Sequence, residues 1–290
     1  MNHMLCFGCG YSSTYMAQKL RHSANWEVTG TTRSIDSRNY LEENGIRGLL
    51  WPGEKLDEAL RTSTHWLVSI PPKQGKDPVI EYLELVPDDQ FTNLRWIGYF
   101  STTAVYGDHG GNWVDECTPV NPTTQRGKYR VKAENDWVNF TKRLDVPLCI
   151  FRLAGIYGPG RGPMEQLRKG NRRKIVKLDQ YFNRIHVEDI AGAVIKAIAN
   201  PSSCGIFNLC DDLPERSDKV IDYAAELLGL PQPQGIKFED ADLSVMARSF
   251  YSESKKVRNQ QLKIHLGYNL KYPNYKKGLL MQFKVLGKQS

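Results

Sequence analysis

Residues 3–21 read HMLCFGCGYSSTYMAQKLR. The stretch begins with an apolar run of strand length, passes through Gly8 and Gly10, and continues with apolar residues at helical spacing. A strand, a tight glycine turn and a helix in immediate succession are typical of the first unit of a doubly wound α/β fold. These residues therefore predict the fold class, and the same alternation of strand and helix is expected in the residues that follow.

Alternating strand and helix patterns continue through the first 150 residues. Strands are predicted at His3–Phe7, Glu27–Thr31, Gly48–Trp51, Trp66–Ser69, Leu94–Phe100 and Leu148–Arg152. Helices are predicted between them at Ser13–Arg21, Arg38–Asn44, Leu56–Thr62, Val79–Val86 and Gly127–Arg143. This alternation predicts a Rossmann-like, doubly wound parallel sheet with right-handed crossovers.

The pattern loosens after Arg152. The stretch YGPGRGP (157–163) is a Gly/Pro-rich exit from a strand. Further elements are predicted as a helix at His186–Ala199, a strand at Gly205–Leu209, a helix at 215–229, a helix capped by Ser254, and a last helix with Pro273 in its first turn. We expect a Rossmann domain over 1–157, to which 183–210 return, and a smaller C-terminal substrate lobe formed by 158–182 and 211–290.

The composition is that of an ordinary globular protein. The 290 residues are 40% hydrophobic and 24% charged, which excludes disordered and fibrous classes. No apolar run is long enough to predict a membrane span, and the sequence enters a strand too early for a signal peptide. Six cysteines in a chain of this length indicate reduced thiols. We therefore expect a cytoplasmic protein.

Basic residues are concentrated in two segments. The chain has 39 Lys and Arg against 32 Asp and Glu, a net charge of +7. Residues 161–184 and 251–290 together carry a net charge of +14, so the remainder of the chain is net acidic. The C-terminal segment does not interleave arginine-rich runs with aromatic residues, so we predict a solvated face and no nucleic-acid partner. The expected partner is a small-molecule substrate, without a membrane, in a monomer or homodimer.

The glycine turn predicts dinucleotide binding. Gly8 permits the turn, and Gly10 lets a pyrophosphate approach the backbone where Tyr11, Ser12 and Ser13 open the helix. Ser13 replaces the usual third glycine with another small residue. Cys6-x-x-Cys9 lies partly within the strand, which argues against a redox or metal motif, and we predict no metal site.

The end of the second predicted strand bears on which dinucleotide binds. It reads Gly30-Thr31-Thr32-Arg33-Ser34, without the carboxylate that would accept from a ribose 2′-hydroxyl. Thr32 and Arg33 instead suit a 2′-phosphate, which predicts NADP, with NAD possible. The alternative is that Arg33 is a solvated loop residue.

A family resemblance emerges from three motifs together. The run STTAVYG (101–107), the glycine turn and FRLAGIYGPGR (151–161) resemble extended short-chain dehydrogenases/reductases, and more narrowly the atypical branch within the NAD-dependent epimerase/dehydratase family. The C-terminal SKKVRNQQLKIHLGYNLKYPNYKKGL (254–279) is similar to that branch as well. The resemblance covers nearly the whole chain.

The resemblance implies a catalytic Ser/Thr at Thr102 and a Tyr-x-x-x-Lys pair on the following helix. Glu134 sets the register of that helix, and it brings Arg126 and Arg130 to the tyrosine and lysine positions. An arginine stays protonated and cannot replace tyrosine as an acid/base, but it can contact a phosphate, a ribose or an anionic substrate. Tyr129 with Lys132, three residues apart, is the alternative pair.

The resemblance also implies further contact residues. Those expected at the cofactor are Ser69, Ile70 and Pro71 after strand four, and Ala154, Gly155 and Ile156 beside the nicotinamide. Those expected at the substrate are Tyr157, Arg161 and His186, with Arg152 in the same region. A histidine that opens a helix is alternatively only a hydrogen-bonding residue.

Two functions follow as hypotheses. The first is an NAD(P)-binding oxidoreductase or epimerase-like enzyme acting on a small polar, anionic substrate, with nucleotide sugars included. The second is a catalytically impaired NADP-binding sensor or scaffold of the same fold, favoured by the two arginines. Fold alone does not choose between them.

Overall fold

A seven-stranded parallel sheet forms the centre of the molecule. The computed structural model describes residues 1–23 and 25–287. The strands are β1 (Asn2–Phe7), β2 (Trp26–Thr32), β3 (Arg47–Leu50), β4 (His65–Val68), β5 (Trp96–Thr102), β6 (Trp113–Val114), β7 (Leu148–Leu153), β8 (Gly155–Tyr157), β9 (Arg173–Val176), β10 (Arg184–His186), β11 (Ile206–Leu209), β12 (Gln234–Lys237) and β13 (Lys256–Val257). The helices are α1 (Tyr11–Arg21), α2 (Ile35–Glu43), α3 (Asp57–Thr62), α4 (Pro78–Leu83), α5 (Gln125–Leu144), α6 (Pro163–Arg168), α7 (Val187–Ala199), α8 (Ser217–Leu227), α9 (Val245–Phe250), α10 (Gln260–Ile264) and α11 (Tyr275–Leu286).

The order of the strands confirms the predicted fold class. The sheet runs β11-β7-β5-β4-β1-β2-β3, and every neighbouring pair is parallel. The chain direction across the sheet reverses between β1 and β4, which is where such folds place a ligand, at the carboxyl ends of the strands. The molecule is therefore a Rossmann-like, doubly wound α/β protein.

Helices cover both faces of the sheet, which explains why most residues of its central strands are buried. On one face, α1, α7 and α10 contribute buried side chains such as Met16, Val194 and Leu262. On the other face, α3, α4 and α5 contribute side chains such as Leu60 and Trp137. The segment containing α10 thus packs against the sheet, although it comes late in the chain.

A third, smaller core lies outside the sheet. Met164 and Leu167 of α6, Ala224 of α8 and Leu279 of α11 pack together there with Tyr157. A short parallel pair, β9 with β12, flanks this group. The division of the chain into a Rossmann domain and a substrate lobe remains an expectation, and its limit at 290 extends beyond the described residues, as does the basic Lys288.

Two predicted helix starts are wrong in detail. Ser254 does not cap a helix, because its hydroxyl donates to the Asp179 carbonyl (2.8 Å) and accepts from the Tyr181 N–H. The chain instead forms the short strand β13 before α10 begins. Asn274 is the cap of α11, since its side chain accepts from the Lys277 N–H (3.0 Å), and α11 begins after Pro273.

Within residues 1–23 and 25–287, no helix combines the length and the apolar character that crossing a bilayer requires.

Candidate cofactor and substrate cleft

The glycine turn is held between the ends of three neighbouring strands. Gly8 has φ +84°, and a Cβ there would lie 2.6 Å from Cγ1 of Ile70, so both the backbone and the space require glycine. Its N–H donates to Thr31 Oγ1 (2.8 Å), and its carbonyl accepts from the Ser69 hydroxyl. These contacts fix the path of the chain from β1 into α1.

The N-terminus of α1 offers hydrogen-bond donors without acceptors. Gly10 occupies the cap position without a capping side chain, and a Cβ there would meet nothing within 4 Å. The backbone N–H groups of Tyr11, Ser12 and Ser13 find no acceptor among the described residues. The buried Ser13 hydroxyl is likewise without a partner in the described part of the chain. This combination fits a diphosphate, because the free N–H groups and the helix dipole both favour an anion.

Arg33 follows β2 with its charge available. It is exposed and makes neither a hydrogen bond nor an ion pair with any described residue. The nearby Arg38 differs, because it pairs with both Glu42 and Glu54 at 3.1 Å. A free guanidinium at the end of the second strand is compatible with a phosphate ligand.

Thr102 lies at the carboxyl end of β5, as the sequence predicts. It is half-buried, and its Oγ1 accepts from the Ala104 N–H at 3.3 Å. That bond uses one acceptor position of the hydroxyl and leaves its proton available to another group. The structure therefore has a hydroxyl at the end of the strand where open α/β sheets bind ligands.

Arg126 and Arg130 stand one turn apart on α5, and no carboxylate of the described residues forms an ion pair with either. The Arg126 guanidinium lies 4.7 Å from the centre of the Phe250 ring. Displacement of water by its neighbours, and then the charge of Arg130, lower the pKa of Arg126. This residue stays cationic at neutral pH and favours an anion beside it.

Arg130 differs from Arg126 in being tied to the sheet. Its Nη1 donates to the Tyr99 hydroxyl (2.9 Å) and to the Phe100 carbonyl (2.6 Å). The arginine at the expected lysine position thus connects α5 with β5. Part of its hydrogen-bonding capacity is used for structure, and the remainder is open to a ligand.

Three comparisons place this geometry among known proteins. The model of the NAD-dependent epimerase/dehydratase family matches residues 83–210. A solved structure of a functionally unknown conserved protein from Silicibacter pomeroyi DSS is 46% identical, with a TM-score of 0.90, over 100% of this chain and 99% of that one. Residues 83–210 thus carry the sequence pattern of the NAD-dependent epimerase/dehydratase family.

Two further proteins are similar to this chain at lower sequence identity. Protein YeeZ of Escherichia coli K12 is 27% identical over 94% of this chain and 97% of its own length. UDP-glucuronic acid 4-epimerase from Bacillus cereus, solved in complex with NAD, is 15% identical over 99% of both chains and shares the fold with a TM-score of 0.77. The match to this family model supports a nicotinamide nucleotide as the class of cofactor.

The register that the family resemblance implies places Glu134 on α5, and this residue forms a buried ion pair with Arg152. Arg152 Nη2 lies 2.7 Å from Glu134 Oε2, and its Nε lies 3.1 Å from Oε1, while Ser101 also donates to Oε1. Arg152 Nη1 also reaches the Tyr106 hydroxyl (2.9 Å). Arg152 is thus a structural residue beneath the cleft, although the family resemblance places it in the region of the expected substrate contacts.

The alternative pair on α5 is not assembled. Lys132 is exposed and pairs with Asp136 at 2.7 Å. The Tyr129 ring is instead the neighbour of Gly75, where an added Cβ would be 3.4 Å from its Cε1. The two side chains of the alternative acid/base pair therefore have different neighbours.

The predicted cofactor contacts after β4 and β7 lie at the carboxyl edge of the sheet. Ser69 and Ile70 are half-buried against the glycine turn, and Pro71 is exposed. After β7, the Ala154 N–H donates to the Leu209 carbonyl and the Gly155 N–H to the Asn183 carbonyl, both at 3.0 Å. These bonds position Ala154, Gly155 and Ile156 between the sheet and the short strand β10.

The three predicted substrate residues do not share one environment. Tyr157 is 3% exposed and packs in the third core, where its ring meets His186 edge-on at 5.1 Å. Arg161 is exposed and lies over the Tyr11 ring, 5.3 Å from its centre. His186 is 2% exposed, and its Nδ1 accepts from the Glu188 N–H (3.2 Å) at the start of α7. Only Arg161 is near the glycine turn with an open side chain.

Sequence reasoning missed a group on the C-terminal side of the cleft. Besides Phe250, it includes a buried pair in which Lys255 Nζ lies 2.8 Å from Glu253 Oε2 and donates to the Gly107 carbonyl (2.7 Å). Thr123, just before α5, donates to the other Glu253 oxygen. The sole sequence signal was an acid two residues from a lysine in a basic segment, which is too common to indicate a site.

Proposed function

We propose that this protein binds NADP at the β1–α1 turn and is an oxidoreductase or epimerase-like enzyme acting on a small polar, anionic substrate. The observation that carries the proposal is the N-terminus of α1, with open space at Gly10 and three N–H groups that have no acceptor among the described residues. Unpaired donors at a helix N-terminus, after a glycine turn in this fold, favour a pyrophosphate.

The remaining cofactor contacts follow the carboxyl edge of the sheet. In this proposal the first turn of α1 and Ser13 hold the pyrophosphate, Thr32 and Arg33 hold the adenosine end, and Ser69 to Pro71 line the centre. Ala154, Gly155 and Ile156 lie beside the nicotinamide. When bound, the nicotinamide supplies hydride transfer, while the chain orients it and excludes water.

Arg33 supports the choice of NADP over NAD. It has no ion-pair partner in the described part of the chain, and the β2 end offers no carboxylate that would accept from a 2′-hydroxyl. Arg38 is a weaker candidate because Glu42 and Glu54 already compensate its charge.

Replacing Arg33 with alanine is expected to lower the affinity for NADPH about tenfold or more and to leave that for NADH nearly unchanged, because a charge-assisted contact contributes about 1.5–3 kcal/mol. Tryptophan fluorescence titration of both nucleotides measures this. Arg95→Ala is the matched control, since Arg95 is exposed at the opposite end of β5. Equal affinities of the wild type for the two nucleotides would refute the NADP assignment.

The cleft around α5 supports an anionic substrate. Arg126 and Arg130 are close enough for the charge of one to lower the pKa of the other, and Glu134, Asp136 and Asp115 do not pair with them. Two like charges one helical turn apart repel each other, and an anion bound between them would relieve this repulsion. Phe250 adds an apolar surface over Arg126, which suits a ligand with a ring as well as a charge.

Arg126→Ala is expected to abolish the stabilisation that an anionic ligand gives in the presence of NADP. The test is a thermal-shift screen of phosphorylated sugars, nucleotide sugars, small carboxylates and neutral sugars, repeated at raised salt, where screening weakens binding. Lys132→Ala is the control on the same helix, because Asp136 already pairs with that lysine. If neutral sugars alone stabilise the protein, or if the anionic hit is unaffected in Arg126→Ala, the substrate class is wrong.

One observation favours a second candidate function, an NADP-binding sensor or scaffold without redox turnover. In the register that the family resemblance implies, arginines replace the tyrosine and the lysine, and Arg130 donates hydrogen bonds to Tyr99 and Phe100. An arginine does not exchange a proton near neutral pH. Following nicotinamide absorbance with the hits of the screen separates the two: turnover supports the enzyme, and binding without turnover supports the sensor.

A further inference from the structure

A separate cavity lies between the third core, formed by α6, α8 and α11, and the N-terminus of α7. It encloses about 270 Å³ and is bounded by α6, α11, the start of α7 and the loop 158–160. None of its lining residues belongs to the glycine turn, to the end of β5 or to α5. Its size is just below the range of ~300–1,000 Å³ that is usual for small-molecule sites.

Two buried side chains in the wall of this cavity have hydrogen-bonding capacity that is not satisfied by the described residues. His186 is 2% exposed, and because its Nδ1 accepts from the Glu188 N–H, the neutral ring carries its proton on Nε2. Burial lowers the pKa of His186 to about 4, which keeps the ring neutral at physiological pH. No described residue accepts the Nε2 proton.

Gln282 of α11 is the second such residue. It is 8% exposed and lines the cavity, and its amide nitrogen has no acceptor in the described part of the chain. Rotation of the terminal amide can direct this group toward a ligand. A buried amide without a partner is unfavourable, so both His186 and Gln282 favour a ligand that brings acceptor oxygens.

The other side chains that face the cavity are mainly apolar. Among the charged groups around it, basic side chains outnumber acidic ones. Met164 of α6 and Met281, Val285 and Leu286 of α11 supply the apolar side chains. The two acids of the wall are both paired, Glu165 with Arg168 (3.4 Å) and Lys169 (3.7 Å), and Glu188 with Lys271 (2.5 Å) and Lys19 (3.7 Å). Four cations thus surround two carboxylates, and the two basic segments of the sequence meet here.

We propose that this cavity binds a small amphipathic carboxylate, with its apolar chain between the methionines and Val285 and its carboxylate accepting from His186 and Gln282. A carboxylate provides acceptors without donors, which matches two donors that have no partner. The surplus of cations at the rim favours the charged head over a neutral one. The site does not depend on the proposed cofactor.

Octanoate is the probe, and 1-octanol, with the same chain and no charge, is its comparison. Calorimetric titration of the full-length protein without nucleotide is expected to show one octanoate site, with 1-octanol binding at least about tenfold more weakly. Absence of octanoate binding, or equal binding of the alcohol, would overturn the proposal.

Variants then locate the site. Val285→Trp fills the cavity from α11 and is expected to raise the Kd for octanoate about tenfold or more, whereas Leu280→Trp, on an exposed position of the same helix outside the wall, is expected to bind normally. Gln282→Leu is expected to weaken octanoate more than 1-octanol, because it removes a donor and keeps the apolar contact. Unchanged octanoate binding by Val285→Trp would exclude this cavity. Because these titrations contain no nucleotide, their outcome does not depend on whether the protein binds NADPH. Octanoate binding and the proposed function can therefore fail separately.

Discussion

Replacing Arg152 with methionine is expected to lower the free energy of unfolding by about 3–5 kcal/mol, because it leaves the buried carboxylate of Glu134 without its partner. Both side chains are almost fully buried, 5% and 7% exposed, and Arg152 makes two contacts to Glu134 and one to Tyr106. Desolvation of an unpaired carboxylate is the dominant cost. Urea unfolding followed by circular dichroism measures the change.

Two controls separate this effect from a general loss of charge. Arg47→Met breaks an exposed pair with Glu58, where the side chains are 53% and 63% exposed, and is expected to cost less than about 1 kcal/mol. The double variant Arg152→Met with Glu134→Leu removes both charges and is expected to recover much of the lost stability. A single variant as stable as the wild type would contradict the account of a buried pair.

The same pair shows where sequence reasoning reaches its limit. The β1–α1 unit was predictable because strand, glycine turn and helix are local. In the structure β1 begins one residue and α1 two residues earlier than predicted, and both end at the predicted residue. The ion pair joins α5 to β7, and only the packing of α5 against the sheet brings Glu134 and Arg152 together. A motif on either element indicates that a charge is present and does not indicate what neutralises it.

Burial by elements distant in sequence explains why the environments of Tyr157 and His186 differ from those expected of substrate contacts. Tyr157 and His186 are the last residues of β8 and β10, and ligands often bind at strand ends. However, α11 packs over Tyr157 so closely that a Cβ at Gly278 would lie 2.1 Å from the Tyr157 hydroxyl. Tyr272 stacks near His186 at 4.0 Å. No local pattern before residue 200 indicates that the last helix covers these side chains.

Phe250 was unpredictable for a related reason. It lies in α9, six residues long and separated from Arg126 by more than a hundred residues, and it has no periodic pattern that would connect it to α5. By contrast, Arg126 and Arg130 are four residues apart at the start of a predicted helix, so the sequence alone indicates that they lie one helical turn apart. The relative positions of residues on one helix can be predicted from the sequence. Residues that meet across the cleft can be identified only from the three-dimensional structure.

A glutamate at Gly10 is expected to reduce the affinity for NADPH about 100-fold or more, corresponding to about 2.7 kcal/mol, while the protein remains folded. Gly10 has φ −89° and ψ −164°, an extended conformation that any residue adopts, and its Cβ would meet nothing within 4 Å. The new carboxylate would accept hydrogen bonds from the free N–H groups of α1 and interact favourably with the helix dipole. The free energy of unfolding is therefore expected to stay close to that of the wild type. It would also occupy the place of the pyrophosphate and repel it, which is the reason for the large loss of binding.

Gly205→Glu is the matched control for this experiment. It adds the same charge at another glycine whose Cβ would meet nothing within 4 Å, just before β11, and is expected to leave NADPH binding unchanged. Gly8→Ala gives the opposite pattern, because at φ +84° its Cβ would collide with Ile70, and it is expected to lower the melting temperature. Fluorescence titration and thermal unfolding of the three variants distinguish a ligand site from a structural turn. Normal NADPH affinity in Gly10→Glu would mean that the open N-terminus of α1 is not where the pyrophosphate binds, because a carboxylate placed there cannot share those donors with a second anion.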